Sequence, residues 1–148
     1  MKTKDFLLKI QKYDLLIENK TADREYWLSM AKSTTAPAAP ETGVRVQSSG
    51  AQQKMSAAVD RAVDLDREIK ELSEKRQEII TLIEQLEDIE EYDVLYKRYV
   101  GTFKNGERHY WDYYEIAESH GKSYSWANGK HGNALKNVQR IINSNKKM

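Results

Sequence analysis

Lys54 to Asp88 reads KMSAAVDRAVDLDREIKELSEKRQEIITLIEQLED, and its period decides the fold. Met55, Ala62, Ile69, Arg76 and Ile83 recur every seven residues; Ala58, Leu65, Leu72, Ile79 and Leu86 repeat the interval three residues later. Heptads sustained in this way, with charged residues filling most other positions, predict a coiled-coil helix rather than a lone amphipathic one. At ~1.5 Å per residue such a helix is about 50 Å long. Its seam must be covered, because packing of the apolar face supplies most of a helix's stability. The cover is a helix of the same chain folded back, or a second chain, or both. Met55, Leu65, Ile69, Leu72, Ile79, Ile83 and Leu86 are the expected coiled-coil or dimer contacts, and a homodimer is expected. Arg76 weakens the seam at an a position and bears on register or partner choice.

A cover is available upstream. From Lys4 to Lys32, Phe6, Ile10, Tyr13 and Ile17 recur at steps of four and three. The stripe passes through Lys20 and Arg24 before Trp27 and Ala31, which predicts one amphipathic helix. Between the two lies SerThrThrAlaProAlaAlaProGluThrGlyValArgValGlnSerSerGlyAlaGlnGln, residues 33–53, with no period and both prolines, Pro37 and Pro40. Proline cannot sit inside a helix and small polar residues bury little area, so this reads as a flexible linker. The expected organisation is an N-terminal helix over 1–32, the linker over 33–53, the heptad helix over 54–89 and a further domain over 90–148.

The chain of 148 residues carries 24 basic and 23 acidic side chains, a net charge of +1. That near-zero total hides a division. Residues 54–91 hold six basic and twelve acidic groups, whereas residues 92–148 hold ten basic and five acidic, with no acid after Glu118. An acidic segment joined to a basic one hints at a nucleic-acid-binding end. With no cysteine there is no disulfide framework, thiolate zinc site or thiol nucleophile. No apolar run approaches ~18 residues and Met1 to Lys12 is charged throughout, so no membrane span or signal peptide is expected and the protein is expected in the cytoplasm.

The basic end is built from local signals. Glu87, Asp88, Glu90 and Glu91 cluster at a helix junction, where acids complement a helix dipole. A short helix is predicted over about Glu90 to Val100, then a small hairpin or ordered loop around Asn105-Gly106, a strong two-residue turn signal. Asp112-Tyr113-Tyr114-Glu115 reads as a capping box that opens a helix running to about His120. Gly121 stops it, and Ser123 caps a last helix through Leu135, Val138 and Ile141 to about Asn143. A short helix, a Gly-containing turn and a basic helix form the helix-turn-helix layout.

Tyr92 to Ile142 resembles the C-terminal helix-turn-helix of sigma factors, on Glu115-Ile116-Ala117, Gly121, Ser123 and Ala134-Leu135-Lys136. The whole chain is similar to phage and prophage proteins of Gram-positive hosts, the ArpU/RinA-like late transcription regulators. The order of parts carries that likeness: an N-terminal helix, a linker ending in Gln47-Ser48-Ser49-Gly50, a heptad helix, then Tyr124-Ser125-Trp126 and His131-Gly132-Asn133-Ala134-Leu135. The resemblance implies an all-α fold, a long antiparallel helical hairpin or coiled coil followed by a three-helix module like sigma region 4. It implies a sequence-specific DNA-binding transcription regulator that acts on double-stranded DNA with RNA polymerase. Three features depart from the pattern: His120 and Lys130 where apolar residues are usual, a longer Gly101 to Tyr110 segment, and Gly129 within the recognition helix.

By alignment with that pattern, Tyr124, Ser125, Trp126, Asn128 and Gly129 face bases. Asn128 is suited to bidentate pairing with adenine, and Tyr124 and Trp126 to packing on thymine methyls or sugars. Lys122, Lys130, Asn133, Lys136 and Arg140 are the candidate phosphate contacts, with Asn133 also placed to reach bases. Core packing is the competing role for Trp126, and core or surface packing the expected one for Tyr96, Tyr99, Tyr113 and Tyr114. No metal or cofactor is expected: His109, His120 and His131 share no ligand spacing, and no phosphate loop, nucleophile elbow or paired-carboxylate motif points to an enzyme. Two other functions use the same parts, a phage adaptor or inhibitor of host machinery and a small terminase-like packaging subunit.

Overall fold

A computed structural model describes residues 2–35 and 48–146. The fold is all-α with one two-stranded hairpin among the described residues. It divides into two compact units, Leu15–Glu74 and a second formed by Met1–Asp14 with Lys75–Met148.

The Leu15–Glu74 unit is built from parts of α1 (Thr3–Thr35) and α2 (Ser48–Glu84). Heptad residues Ala58, Ala62 and Leu65 are buried here, Leu65 to 1% exposure, and Met55, Ile69 and Leu72 are half-buried. Ala31 is buried and Ile17, Trp27 and Leu28 half-buried on α1. The seam is thus covered within the chain by the folded-back N-terminal helix. The two charges that interrupt the α1 stripe are answered from α2: Lys20 Nζ lies 3.3 Å from Glu68 and Arg24 pairs with Asp66. Asp23 lies 3.8 Å from Arg61. Lys20 meets Glu68 and Arg24, one turn later, meets the earlier residue Asp66, so the helices run antiparallel. Solvent-accessible pairs of this kind are worth at most about 1 kcal/mol each, so they select register more than they stabilise.

Two expected boundaries move. α1 continues to Thr35 and α2 opens at Ser48 rather than Lys54, so the ends of the expected 33–53 linker are helical. Periodicity misses these turns because Gly50, Gln52 and Gln53 are exposed and contribute nothing to the seam. Residues 36–47, with Pro37 and Pro40, lie outside the described residues. At the other end α2 stops at Glu84. Gln85 and Leu86 donate to the carbonyls of Leu82 and Ile83 at 3.2 and 3.1 Å, a tight turn that keeps Leu86 buried.

The other unit has one core. Leu7 and Ile10 of α1, Ile79, Ile80 and Ile83 of α2, and Leu95, Tyr99, Val100, Ala134 and Val138 from the C-terminal module share it. Asp88 caps α3 (Ile89–Leu95), accepting from the N–H groups of Glu90 and Glu91 at 2.8 and 3.4 Å. The expected helix to Val100 is two pieces: α3 is followed by a π-helical turn, Tyr96–Val100, closed by Gly101 N–H to Tyr96 O at 2.7 Å. Gly101 has φ +79°, and a Cβ there would stand 2.5 Å from the carbonyl oxygen of His109, so no larger residue fits.

β1 (Thr102–Lys104) pairs antiparallel with β2 (Glu107–His109) across Asn105-Gly106, both at positive φ as a type I′ turn requires. α4 (Tyr113–Ser119) opens with the full capping box of Asp112 and Glu115. It closes with Gly121 at φ +66°, Lys122 N–H on Ala117 O and Gly121 N–H on Glu118 O, the two bonds of a Schellman motif. α5 (Tyr124–Lys146) follows, its first turn capped by Ser123 Oγ on Trp126 N–H at 3.2 Å.

Arg76, the anomaly of the heptad seam, pairs with Asp14 of α1. Asp14 also accepts from the Tyr110 hydroxyl at 2.7 Å and lies 3.7 Å from Arg108 Nε. Burial, reinforced by the Asp14 carboxylate, pushes the Tyr110 phenol well above its ordinary range. Asp14 is largely buried, so removing it strands a guanidinium and a hydroxyl. Asp14→Ala is expected to cost about 3 kcal/mol of unfolding free energy in a urea titration, and Asp14→Leu with Arg76→Leu clearly less, because the double change also removes the guanidinium that the single change strands in the seam.

Candidate nucleic-acid interface

α5 has two contrasting faces. Ala127, His131, Ala134 and Val138 are buried at helical spacing. Ser125, Asn128, Gly129, Asn133, Lys136 and Arg140 are exposed at the same spacing on the other side. Tyr124 to Lys146 contains no acidic residue. The buried face is held by hydrogen bonds as well as apolar contact. Tyr99 of the π turn lies 2.6 Å from His131 Nε2 with its ring stacked on the imidazole, and Tyr113 of α4 lies 3.3 Å from Nδ1. Burial, aided by the cations Arg98 and Lys4, lowers the His131 pKa to about 4. A neutral imidazole has one N–H, so it donates to one tyrosine and accepts from the other. Asn137 donates to the buried carboxylate of Glu91 at 2.6 Å and accepts from Arg140 at 3.1 Å. α5 is therefore fixed to α3, the π turn and α4 by directional bonds, which set its rotation about its own axis.

The residues singled out in the sequence do not all lie on the open face. Tyr124, Ser125, Asn128, Gly129, Asn133, Lys136 and Arg140 are exposed along α5, and Lys122 is exposed in the turn before it. Trp126 is half-buried with its ring 4.9 Å from that of His120, whose Nε2 lies 2.7 Å from Asp93. Lys130 is half-buried with its ammonium 2.8 Å from Asp88 and 3.5 Å from Glu90. The Asp88 hydrogen bond raises the Lys130 pKa, and the same bond lowers that of Asp88. Both departures from the sigma-like pattern, His120 and Lys130, thus have acids of the α2–α3 junction and α3 as partners. The third departure, the segment from Gly101 to Tyr110, contains the hairpin, anchored to α4 by His109 Nε2 at 2.6 Å from Glu115.

The polar interior of this module was missed in the sequence. His131 could have been found from its spacing, since it stands on the same stripe as Ala127, Ala134 and Val138. The pairing of Glu91 with Asn137 has no local signal. Among the described residues, no group of three or more His, Asp or Glu side chains is placed to hold a metal ion.

A buried neutral histidine couples stability to pH. His131 takes a proton near pH 6.5 in the unfolded chain and near pH 4 in the folded one, so the unfolded state binds more protons between those values. This contribution, up to roughly 3 kcal/mol, is complete above pH 6.5 and is lost as pH falls towards 4. His131→Gln is expected to flatten stability over that window in denaturant titrations at stepped pH. No protein-family model, no curated protein and no solved structure matches the chain.

Proposed function

We propose that the protein is a DNA-binding transcription regulator of the phage and prophage type, which reads double-stranded DNA with the exposed face of α5 and acts at promoters with RNA polymerase. The observation that carries the reading is the open face itself: a rigidly backed helix with no acid, polar residues in its first turns and the cations Lys136 and Arg140 further along. A major groove admits one α-helix, whose N-terminal residues meet base edges. Gly129 and Gly132 support the same reading. Each costs about 1 kcal/mol in a helix interior relative to Ala. Each also has open space where a Cβ would stand, so packing within the chain does not require them. A face this bare lets the helix axis approach the bases closely.

In this reading Asn128 takes adenine in bidentate fashion and Ser125 a neighbouring edge, with Gly129 admitting the groove wall. Lys122, Asn133, Lys136 and Arg140 hold the phosphates, which position the helix without specifying sequence. Lys130, already neutralised by Asp88 and Glu90, contributes to the module's packing instead. One module of this size covers little DNA, so a second subunit or RNA polymerase supplies the rest of the affinity.

Sequencing of duplexes selected by the purified protein identifies the site, and binding to that duplex then tests the roles. Lys136→Ala is expected to weaken binding to all sequences and reduce the salt slope by about one. Asn128→Ala is expected to cost about 1–3 kcal/mol at the selected site and to relax one base position. Lys130→Met is expected to leave the salt slope unchanged while lowering thermal stability. Equal affinity of the parent, Lys136→Ala and Asn128→Ala for DNA contradicts the assignment and favours an adaptor that binds protein.

A further inference from the structure

Nine tyrosines stand against two phenylalanines in this chain, and the folded module explains several of them. The hydroxyls of Tyr99 and Tyr113 meet His131, and that of Tyr110 meets Asp14, so a phenol is needed where a phenyl ring would leave a partner unmet. Tyr114 and Tyr124 are different. They are 69% and 42% exposed, and their rings lie 4.5 Å apart at 35°. Tyr113 meets Tyr124 edge-on at 5.8 Å. Two large rings packed at a tilt at the surface, from the first turns of two different helices, form an apolar step at the entry to the acid-free face of α5. Tyr124 is one helical turn from Asn128 and next to Ser125, so this step adjoins the residues assigned to base edges.

We infer that Tyr114 and Tyr124 together form a thymine-methyl reader, which extends the base-reading surface from α5 onto α4 and gives the protein a preference for A·T pairs in the major groove. The inference rests on the DNA-binding reading above. Its chemistry follows from what the two rings offer. The two rings already pack against each other with centroids 4.5 Å apart, so a base cannot enter between them as it would in a single-strand binder. The surface that remains is apolar ring area, and the apolar group presented in the major groove is the C5-methyl of thymine. Asn128 beside the step is suited to the adenine of such a pair. Charge complementarity favours DNA as the occupant: Lys122 is exposed in the turn next to the step, and no acid lies on α5. Asp112, the exposed N-cap two residues before Tyr114, is engaged by the Glu115 N–H at 2.9 Å, and Glu118, one turn beyond Tyr114, is exposed on α4 itself; these acids limit how far the DNA surface extends over α4.

Two duplexes that differ only in the methyl group test this: alternating dA–dT and alternating dA–dU, each 24 base pairs long and fluorescently labelled. The full chain is expected to bind the thymine duplex more tightly by about fourfold for each methyl covered. Tyr114→Ala is expected to bring the two affinities together, and Tyr114→Phe to preserve the difference. Lys136→Ala should weaken both duplexes alike and keep their ratio. Tyr114 is exposed, so unchanged far-ultraviolet circular dichroism of the variants confirms that folding is intact. Equal affinity of the parent for both duplexes overturns the inference and leaves the DNA-binding reading standing. Loss of the preference in Tyr114→Phe assigns the hydroxyl to a phosphate and also overturns it. Failure to bind either duplex at low salt overturns both the inference and the reading it rests on.

Discussion

The carboxylate of Asp14 joins three separate parts of the chain. It belongs to α1, pairs with Arg76 of α2, accepts from Tyr110 after the hairpin and lies within reach of Arg108 on β2. A charged residue in a heptad seam costs stability if it is left alone, and a carboxylate buried beside it is costly if any of its lone pairs is unmet. Together they are satisfied only when the N-terminal helix lies against α2 in one register and the hairpin closes over both. Apolar contacts such as Leu7, Ile10, Ile79 and Ile83 supply the burial. Such contacts tolerate slippage by a heptad, whereas the Asp14 cluster does not.

The same logic recurs in the C-terminal module. Its core is small, and its helices are short except for α5. Directional bonds make up what area alone cannot: Tyr99 and Tyr113 on His131, Asn137 on Glu91, His120 on Asp93 and Lys130 on Asp88. All four clusters tie residues of α5 or of the turn before it to elements that precede them. The consequence is a helix whose inner face is fully engaged and whose outer face is left polar, partly basic and bare at Gly129. Precision on the inside is what makes the outer face a surface of defined shape rather than a mobile basic arm.

Features encoded within a few residues were legible in the sequence. The capping box at Asp112 and Glu115, the Asn105-Gly106 turn and the stop at Gly121 are each set by backbone chemistry of neighbours, and the structure has all three. The heptads were legible because the apolar period is long and regular, and α1 covers them within the chain. What was not legible depends on distant partners. Lys20 and Arg24 look like faults in an apolar stripe until Glu68 and Asp66 stand opposite them. Lys130 looks like a phosphate contact until Asp88 and Glu90 answer its charge. The π turn at Tyr96–Val100 escapes any reading based on a period of 3.6, because its bonds skip one residue more.

The proposed DNA-reading role of the outer face of α5 is open to direct test. Amide chemical-shift mapping of the labelled full chain with a 24-base-pair duplex at about 50 mM salt, where phosphate contacts are strong, tests it most directly. Shifts are expected to concentrate on residues 121–140, largest at Ser125, Asn128, Gly129 and Asn133, with the 15–74 unit unaffected. An unperturbed spectrum, or shifts confined to α1 and α2, would contradict it.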